Sequence, residues 1–363
     1  MKKSRHHFVP RFYLRLFSRN TRQINLFNIG REQIISGASI KHQCYRHKLY
    51  GEHDDLENAF MEFETKVAPV VKRIIGNREI PERYSEEWIA LVYFIAFQHL
   101  RTESAKKKSD DFIDLSAKAV LEEDSRIDRE ELKKVVIKNK YSLQMLLTAV
   151  PNFAFGISDL EARLVTTEER KGFFTSDNPV FIYNQYCEDV KGIGVLGAVC
   201  SGLQVFLPLD PNTTLCMFDG KIYALNAGRN DIVIQAHRQD VEWLNLFQMV
   251  NAAENVYYFA QYSERDMKTI LSKARKHRGI RKTTVTKADG THPEERSVLF
   301  HFHHLHPVIK PAFSFFRIRR RARKIPLLDR GSMYRETIQG IRKNSMYERS
   351  DRKTTSWMVR RNK

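Results

Sequence analysis

The sequence predicts an α+β fold in which a helical block packs with a mainly antiparallel sheet. Three observations carry this expectation. Helix-period apolar patterns are concentrated between about residues 54 and 150, and short strand-like runs between about 160 and 260. The two kinds of element do not alternate in a βα rhythm, as a doubly wound parallel sheet would require. No internal repeat at solenoid spacing is found.

Taken in order, Arg5 to Phe17 opens with His6 and His7, followed by Pro10 where a helix would begin. Phe12, Tyr13, Leu14, Leu16 and Phe17 are expected to anchor that short helix, which places the histidines on a rigid shoulder. Gln23 to Ile29 and Gln33 to Ser36 read as short strands joined at Gly30. An apolar stripe at Leu56, Phe60, Phe63, Val67, Val70 and Ile74 predicts the first long helix, with a kink expected at Pro69. Ser85, Glu86 and Glu87 supply an N-cap and an acidic first turn. Trp88 to Leu100 is apolar on nearly every side, which predicts a buried central helix. Asp128 with Glu131 predicts a further capped helix reaching to Ala149. Strands are then expected at Leu164 to Thr167, Gly172 to Thr175, Val180 to Tyr183, Leu203 to Leu207, Thr213 to Phe218 and Val256 to Ala260. His237 to Ala253 and Glu264 to Lys276 read as helices.

Composition narrows the setting. At 363 residues and 42% hydrophobic, the chain can bury a full core. Cys44, Cys187, Cys200 and Cys216 show no CxxC pair or metal-knuckle spacing, which suits a reducing cytoplasm. The basic start leads into His-His rather than an apolar h-region, so no signal peptide is expected. The longest apolar run, Trp88 to Phe97, is about half of what a membrane span needs, so no span is expected. The net charge of +18 is unevenly placed: from Lys310 onward there are 17 Lys or Arg against 4 acidic residues, and the other 309 residues hold 44 against 39. That basic tail, densest from Arg317 to Lys324, would be drawn to nucleic acid or another anionic surface. It lacks sustained periodicity, so a single α+β domain over 1–280 and a poorly ordered extension over 281–363 are expected.

Four sets of residues carry a resemblance. They are the opening His-His-Phe-Val-Pro-Arg-Phe-Tyr-Leu-Arg-Leu-Phe; Lys48-Leu49-Tyr50 with Glu57 and Glu64; Gln98 with Arg101 and Thr102; and Thr175-Ser176-Asp177-Asn178-Pro179-Val180 with Leu207 to Pro211 and Asn245. Over roughly residues 5 to 262 the chain resembles the domain of unknown function 4238 family. The resemblance implies no established activity, so function rests on the residues themselves.

Imidazoles near neutral pH carry protons or bind metal, and equally serve as hydrogen-bonded structural groups. Glu57 and Glu64, seven apart, share a helical face at the border of core and solvent. Arg101 at the end of an apolar helix needs an anion, either a structural carboxylate such as Glu64 or Asp177, or a ligand phosphate. Thr-Ser-Asp-Asn-Pro reads either as a turn fixed by side-chain hydrogen bonds or as a carboxylate at a strand end in an active site. His301, His303, His304 and His306 alternate like a strand, with incidental metal affinity at most. Taken together, His6, His7, Glu57, Glu64 and Asp177 form a donor set suited to Mg, Mn or Zn, with Arg101 and Gln98 placed to orient a phosphate. The leading expectation is a metal-dependent phosphodiester hydrolase, nuclease-like, with His6, His7, Asp177, Arg101 and Gln98 as catalytic residues. The alternative is a non-catalytic module that binds nucleic acid or a partner and is held together by a buried polar network. A toxin or phage-defence role is compatible with either. No Walker loop, GxSxG elbow or HExxH is present, and no nucleotide cofactor is expected.

Overall fold

Strands covered on both faces read as unbroken apolar runs rather than alternating ones, and this explains the centre of the molecule. The structure is a computed structural model describing residues 5–50, 55–190, 194–226, 231–278, 283–287, 297–304, 307–335 and 357–360, for 283–287, 297–304 and 357–360 chiefly the backbone. In chain order the first elements are β1 (Arg5–His7), α1 (Arg11–Arg15), β2 (Gln23–Asn28), β3 (Gln33–Ser39), a 3-10 turn (Ile40–His42) and β4 (Tyr45–His47). The helical block follows: α2 (Asp55–Asn77), α3 (Glu86–Leu100), α4 (Glu103–Leu121), α5 (Arg129–Lys134), α6 (Ser142–Thr148) and α7 (Val150–Ile157). Then come β5 (Glu161–Thr166), β6 (Thr175–Ser176), β7 (Phe181–Tyr183), β8 (Gln204–Asp210), β9 (Thr213–Phe218), β10 (Tyr223–Leu225), β11 (Val233–Gln235), α8 (Arg238–Asn251), β12 (Asn255–Tyr258) and α9 (Glu264–Arg275). The chain closes with β13 (Thr283–Lys287), β14 (Ser297–His304), β15 (Phe316–Ile318), the short α10 (Arg320–Arg323) and α11 (Leu327–Arg330), and β16 (Trp357–Arg360).

The fold is α+β. A five-stranded sheet runs β11-β5-β9-β8-β7, antiparallel except for the β11–β5 pair. Successive residues of its strands enter different cores. Leu164, Val205, Leu207, Leu215 and Met217 pack with the Trp88 to Ala96 face of α3 and with α2 and α7. Val165, Phe206, Cys216 and Phe218 pack with α8, α9 and Phe313 to Phe316 on the other side. A second sheet, β3-β2-β12-β6, is antiparallel throughout, and β1 pairs with β4 as a separate ribbon.

Three expectations are corrected. The helix expected from Asp128 to Ala149 breaks after α5: Val135, Val136 and Ile137 are stiff β-branched residues poorly suited to a helix, and the Ile137 N–H is taken by Asp114 Oδ1 at 2.7 Å. Gly172 to Phe174 is not strand: its backbone is satisfied by Asn245 of α8 and by isolated bonds to the Pro211 and Glu169 carbonyls, not by a strand ladder. Asn245 accepts from Phe174 N (2.7 Å) and donates to the Gly172 carbonyl (3.0 Å). The extension expected to be poorly ordered from 281 onward instead joins the core over 307–335: Ile309, Phe313, Phe315 and Phe316 are buried, and β15 pairs with β10. Arg335, also buried, meets Asp159 at 2.9 Å. Aromatic side chains spaced among the arginines supply the apolar anchor that the charge count conceals. Of the histidine cluster, His301, His303 and His304 fall on β14, their side chains outside the described residues, as is His306.

Candidate functional site

The opening motif is a two-faced ribbon. Because strand side chains alternate, β1 sends His6 inward and Arg5 and His7 to the other face, where β4 sets Tyr45 and His47. His6 is fully buried; its Nδ1 accepts from Tyr50 N (3.1 Å) and its ring stacks on the Tyr50 ring at 5.4 Å. The Tyr50 hydroxyl donates to the His7 carbonyl at 3.1 Å and so fastens the ribbon. Burial raises the Tyr50 phenol well above its ordinary pKa, with Glu57 and Glu64 adding to the rise and Arg101 opposing it.

Those last residues form the polar corner under the ribbon. Glu57 is buried in the first turn of α2, and Glu64 lies two turns along. Arg101, at the C-cap of α3 and 1% exposed, donates to Glu64 Oε1 at 3.0 Å. Gln98, with its amide oxygen turned to the guanidinium, accepts from Arg101 Nε (2.8 Å) and Nη2 (2.6 Å). The guanidinium lies over the Phe60 ring at 5.0 Å, and its Nη1 is buried with no partner. Glu64 is thus the carboxylate that Arg101 meets.

His7 is different in kind. Burial lowers its pKa to about 4, assisted by the charges of Arg11, Arg101 and Arg5, while a hydrogen bond from its ring to the Lys41 carbonyl pulls the other way. A neutral imidazole donating to that carbonyl presents a lone pair on its remaining nitrogen, and His7 Nε2 is buried without a partner.

Asp177 occupies another neighbourhood. Its Oδ1 accepts from Ala253 N (2.7 Å), and its Oδ2 accepts from Glu254 N (2.7 Å) and Asn255 N (2.8 Å). Burial still pushes its carboxyl up to about 6 against those three donors. Its charge acts on Cys44, Tyr257 and Arg278, whereas the charges acting on His7 are all arginines. The motif around it is laced to α8: Ser176 donates to Gln248, Gln248 to the Pro179 carbonyl, and Asn251 to the carbonyls of Asn178 and Val180. Tyr13 of α1 ties three motifs together, donating to the Pro208 carbonyl (2.6 Å) and meeting Thr175 Oγ1 at 2.7 Å. Thr102, next to Arg101, donates to Asn178 Oδ1 at 3.1 Å.

The structure therefore brings His6, Glu57, Glu64, Gln98 and Arg101 around Tyr50, with His7 held by the Tyr50 hydroxyl, and engages Asp177 with the backbone of Ala253 to Asn255. Among the described residues no group of three or more His, Cys, Asp or Glu side chains stands together to hold a metal ion. Of the donors expected to bind Mg, Mn or Zn, three already have protein partners. His6 Nδ1, Glu64 and Asp177 are directed to protein partners, and Asp177 is engaged by backbone on both oxygens.

The outer face of the ribbon carries what the motif reading missed. Arg5 lies over the Tyr45 ring at 5.1 Å and meets His42 Nδ1 at 3.4 Å. Tyr45 in turn contacts the rings of His7, His42 and His47. Arg11, Lys41, His42, His47 and Lys48 are exposed. A signal for this face lies in the sequence: the first 50 residues hold 11 Lys or Arg against one acidic residue, Glu32. Summing over residues 1 to 309 hides it.

A family model described as a protein of unknown function, DUF4238, matches residues 5–262. The chain belongs to this DUF4238 family. The match begins at Arg5, the first residue of the ribbon, and ends just after β12, so it spans both sheets and α8. No curated protein and no solved structure matches the chain. Among the described residues of this DUF4238 protein, no helix is long and apolar enough to cross a membrane.

Proposed function

We propose that this DUF4238 protein is a nucleic-acid-binding module whose contact surface is the outer face of the β1–β4 ribbon with the adjoining α1 and 3-10 turn. The observation that carries the reading is the joining of Arg5, Tyr45, His42, His47 and His7 into one cluster of cations and rings beside exposed Arg11 and Lys41. Cations that release counterions from phosphates, set among rings on which bases stack, are what backbone-directed recognition requires. The buried polar residues beneath hold this face rigid. The C-terminal cations are a weaker choice, because several are engaged within the fold: Arg319 donates to the Gly220 and Tyr223 carbonyls, and Arg330 lies over Tyr186.

The test is fluorescence anisotropy with a labelled 12-mer single-stranded DNA. A triple variant, Arg5→Ala with Arg11→Ala and Lys41→Ala, is expected to weaken binding about 30-fold at moderate salt, in line with a handful of phosphate contacts. An Arg317→Ala, Arg320→Ala, Arg321→Ala variant is expected to change it by less than about 3-fold. Equal loss in both, or no binding by the unmodified chain, contradicts the reading.

A second reading, a phosphodiester hydrolase, draws on the buried, partnerless His7 Nε2 and, in the polar corner beneath the ribbon, the partnerless Nη1 of Arg101. A neutral imidazole and a guanidinium are a base and a charge stabiliser. Time-dependent shortening of bound RNA or DNA, abolished in His7→Gln, supports this reading. Intact polymer at full occupancy removes it.

A further inference from the structure

We infer that the cavity between β2, β3 and the start of β12 receives one unpaired nucleobase, so that the nucleic acid bound is single-stranded. This rests on the nucleic-acid reading above and adds the class of strand and the place where it is read. The cavity measures about 490 Å³, within the ~300–1,000 Å³ range of small-ligand sites. Leu26 and Ile35, paired across β2 and β3, give it an apolar side, and Asn28, Gln43, Arg31 and Glu254 give it a polar rim.

The rim suits the edge of a base. Asn28 Nδ2 donates to Asn255 Oδ1 (2.9 Å) while its Oδ1 accepts from Arg31 N (2.9 Å). Gln43 Nε2 donates to the Ser39 carbonyl (3.2 Å) while its Oε1 accepts from Tyr257 OH (3.3 Å). A carboxamide has two N–H donors and two acceptor lone pairs, so each of these side chains keeps one donor and one acceptor for a ligand. A flat ring with apolar faces and a mixed donor and acceptor edge matches that combination, and such an edge is accessible only when the base is unpaired.

Two further features fit. The cavity adjoins the proposed contact surface at its 3-10 turn, because Gln43 directly follows Lys41 and His42. A strand crossing that turn passes the cavity mouth. One wall, Ala253 to Asn255, is the backbone clamped by Asp177, so the Thr-Ser-Asp-Asn-Pro motif fixes the shape of the site without touching its contents.

The experiment compares, by anisotropy, a labelled 12-mer DNA single strand with the duplex of the same sequence. The double variant Gln43→Leu with Asn28→Leu removes the edge contacts and Ala38→Phe fills the cavity, with thermal melting as the fold control. The unmodified protein is expected to favour the single strand by about 10-fold, the size of effect one well-held base gives. Both variants are expected to bring that ratio to about 1. Equal affinity for strand and duplex in the unmodified protein overturns the inference and leaves the nucleic-acid reading standing. A ratio that persists in the double variant overturns it whatever Ala38→Phe does. Failure to bind either probe overturns both.

Discussion

The corner around Asp177 and the ribbon around His7 are both rich in polar side chains, and they differ in how those side chains are satisfied. At Asp177 both carboxylate oxygens are engaged by backbone N–H groups, and Asn245, Gln248 and Asn251, each three residues apart on α8, hold the segment from Gly172 to Val180. A buried network completed in this way specifies a fold. At the ribbon, cations and rings face outward with one another for company, and a buried imidazole nitrogen is left without a partner. The lesson is that polarity in a motif does not by itself mark a site.

Three substitutions test this contrast. The largest effect is expected at Asp177. Asp177→Ala leaves three N–H groups without their acceptor and should cost about 4 kcal/mol in urea unfolding, since each orphaned buried donor costs ~1–3 kcal/mol. A loss below about 1 kcal/mol would make Asp177 dispensable to the fold and return it to the list of possible catalytic groups. Arg101→Ala follows, at about 3 kcal/mol, because it strands Glu64 and Gln98 beside an apolar helix. Near-neutral stability there would mean that Arg101 is held for a ligand rather than for the fold.

The smallest effect is a change of pH dependence. His7 has a folded pKa near 4, below its ordinary 6.5. The unfolded chain therefore binds the proton first, and the contribution of His7 to stability is full above pH 6.5 and is lost as pH falls toward 4. Asp177, raised from 3.8 to about 6, has the opposite sign: its contribution is full below pH 3.8 and is lost as pH rises through 6. The two oppose each other in the window between. In His7→Gln, melting temperature should therefore fall more steeply from pH 4 to 6 than in the unmodified chain. An unchanged profile would place the His7 ring in water rather than in its buried position.

Much of the fold is legible in the residues. Thr213 to Phe218 is strand as its apolar run requires, and Ser85 caps α3 by accepting from Trp88 N. The errors have a common cause, which is that a local pattern cannot see a distant partner. Gly172 to Phe174 has strand composition, yet the Phe174 N–H and the Gly172 carbonyl bond a side chain more than seventy residues away. The arginine-rich segment after 307 reads as solvated, yet Phe313, Phe315 and Phe316 carry it into the core. At the site, Arg101 with Glu64 was open to reading from helix spacing and the rarity of buried arginine. The engagement of Asp177 by the backbone of Ala253 to Asn255 was not, because it depends on where α8 meets β12.

The central claim is that the ribbon face, and not the tail, meets nucleic acid. The salt dependence of binding to the labelled single strand tests it most directly, because each phosphate contact adds about −0.7 to the slope of log K against log salt on single strands. The Arg5, Arg11, Lys41 triple variant should flatten that slope by about 2 while thermal melting stays within a few degrees of the unmodified chain. A slope unchanged by that variant, and flattened instead by Arg317→Ala, Arg320→Ala, Arg321→Ala, would contradict the account.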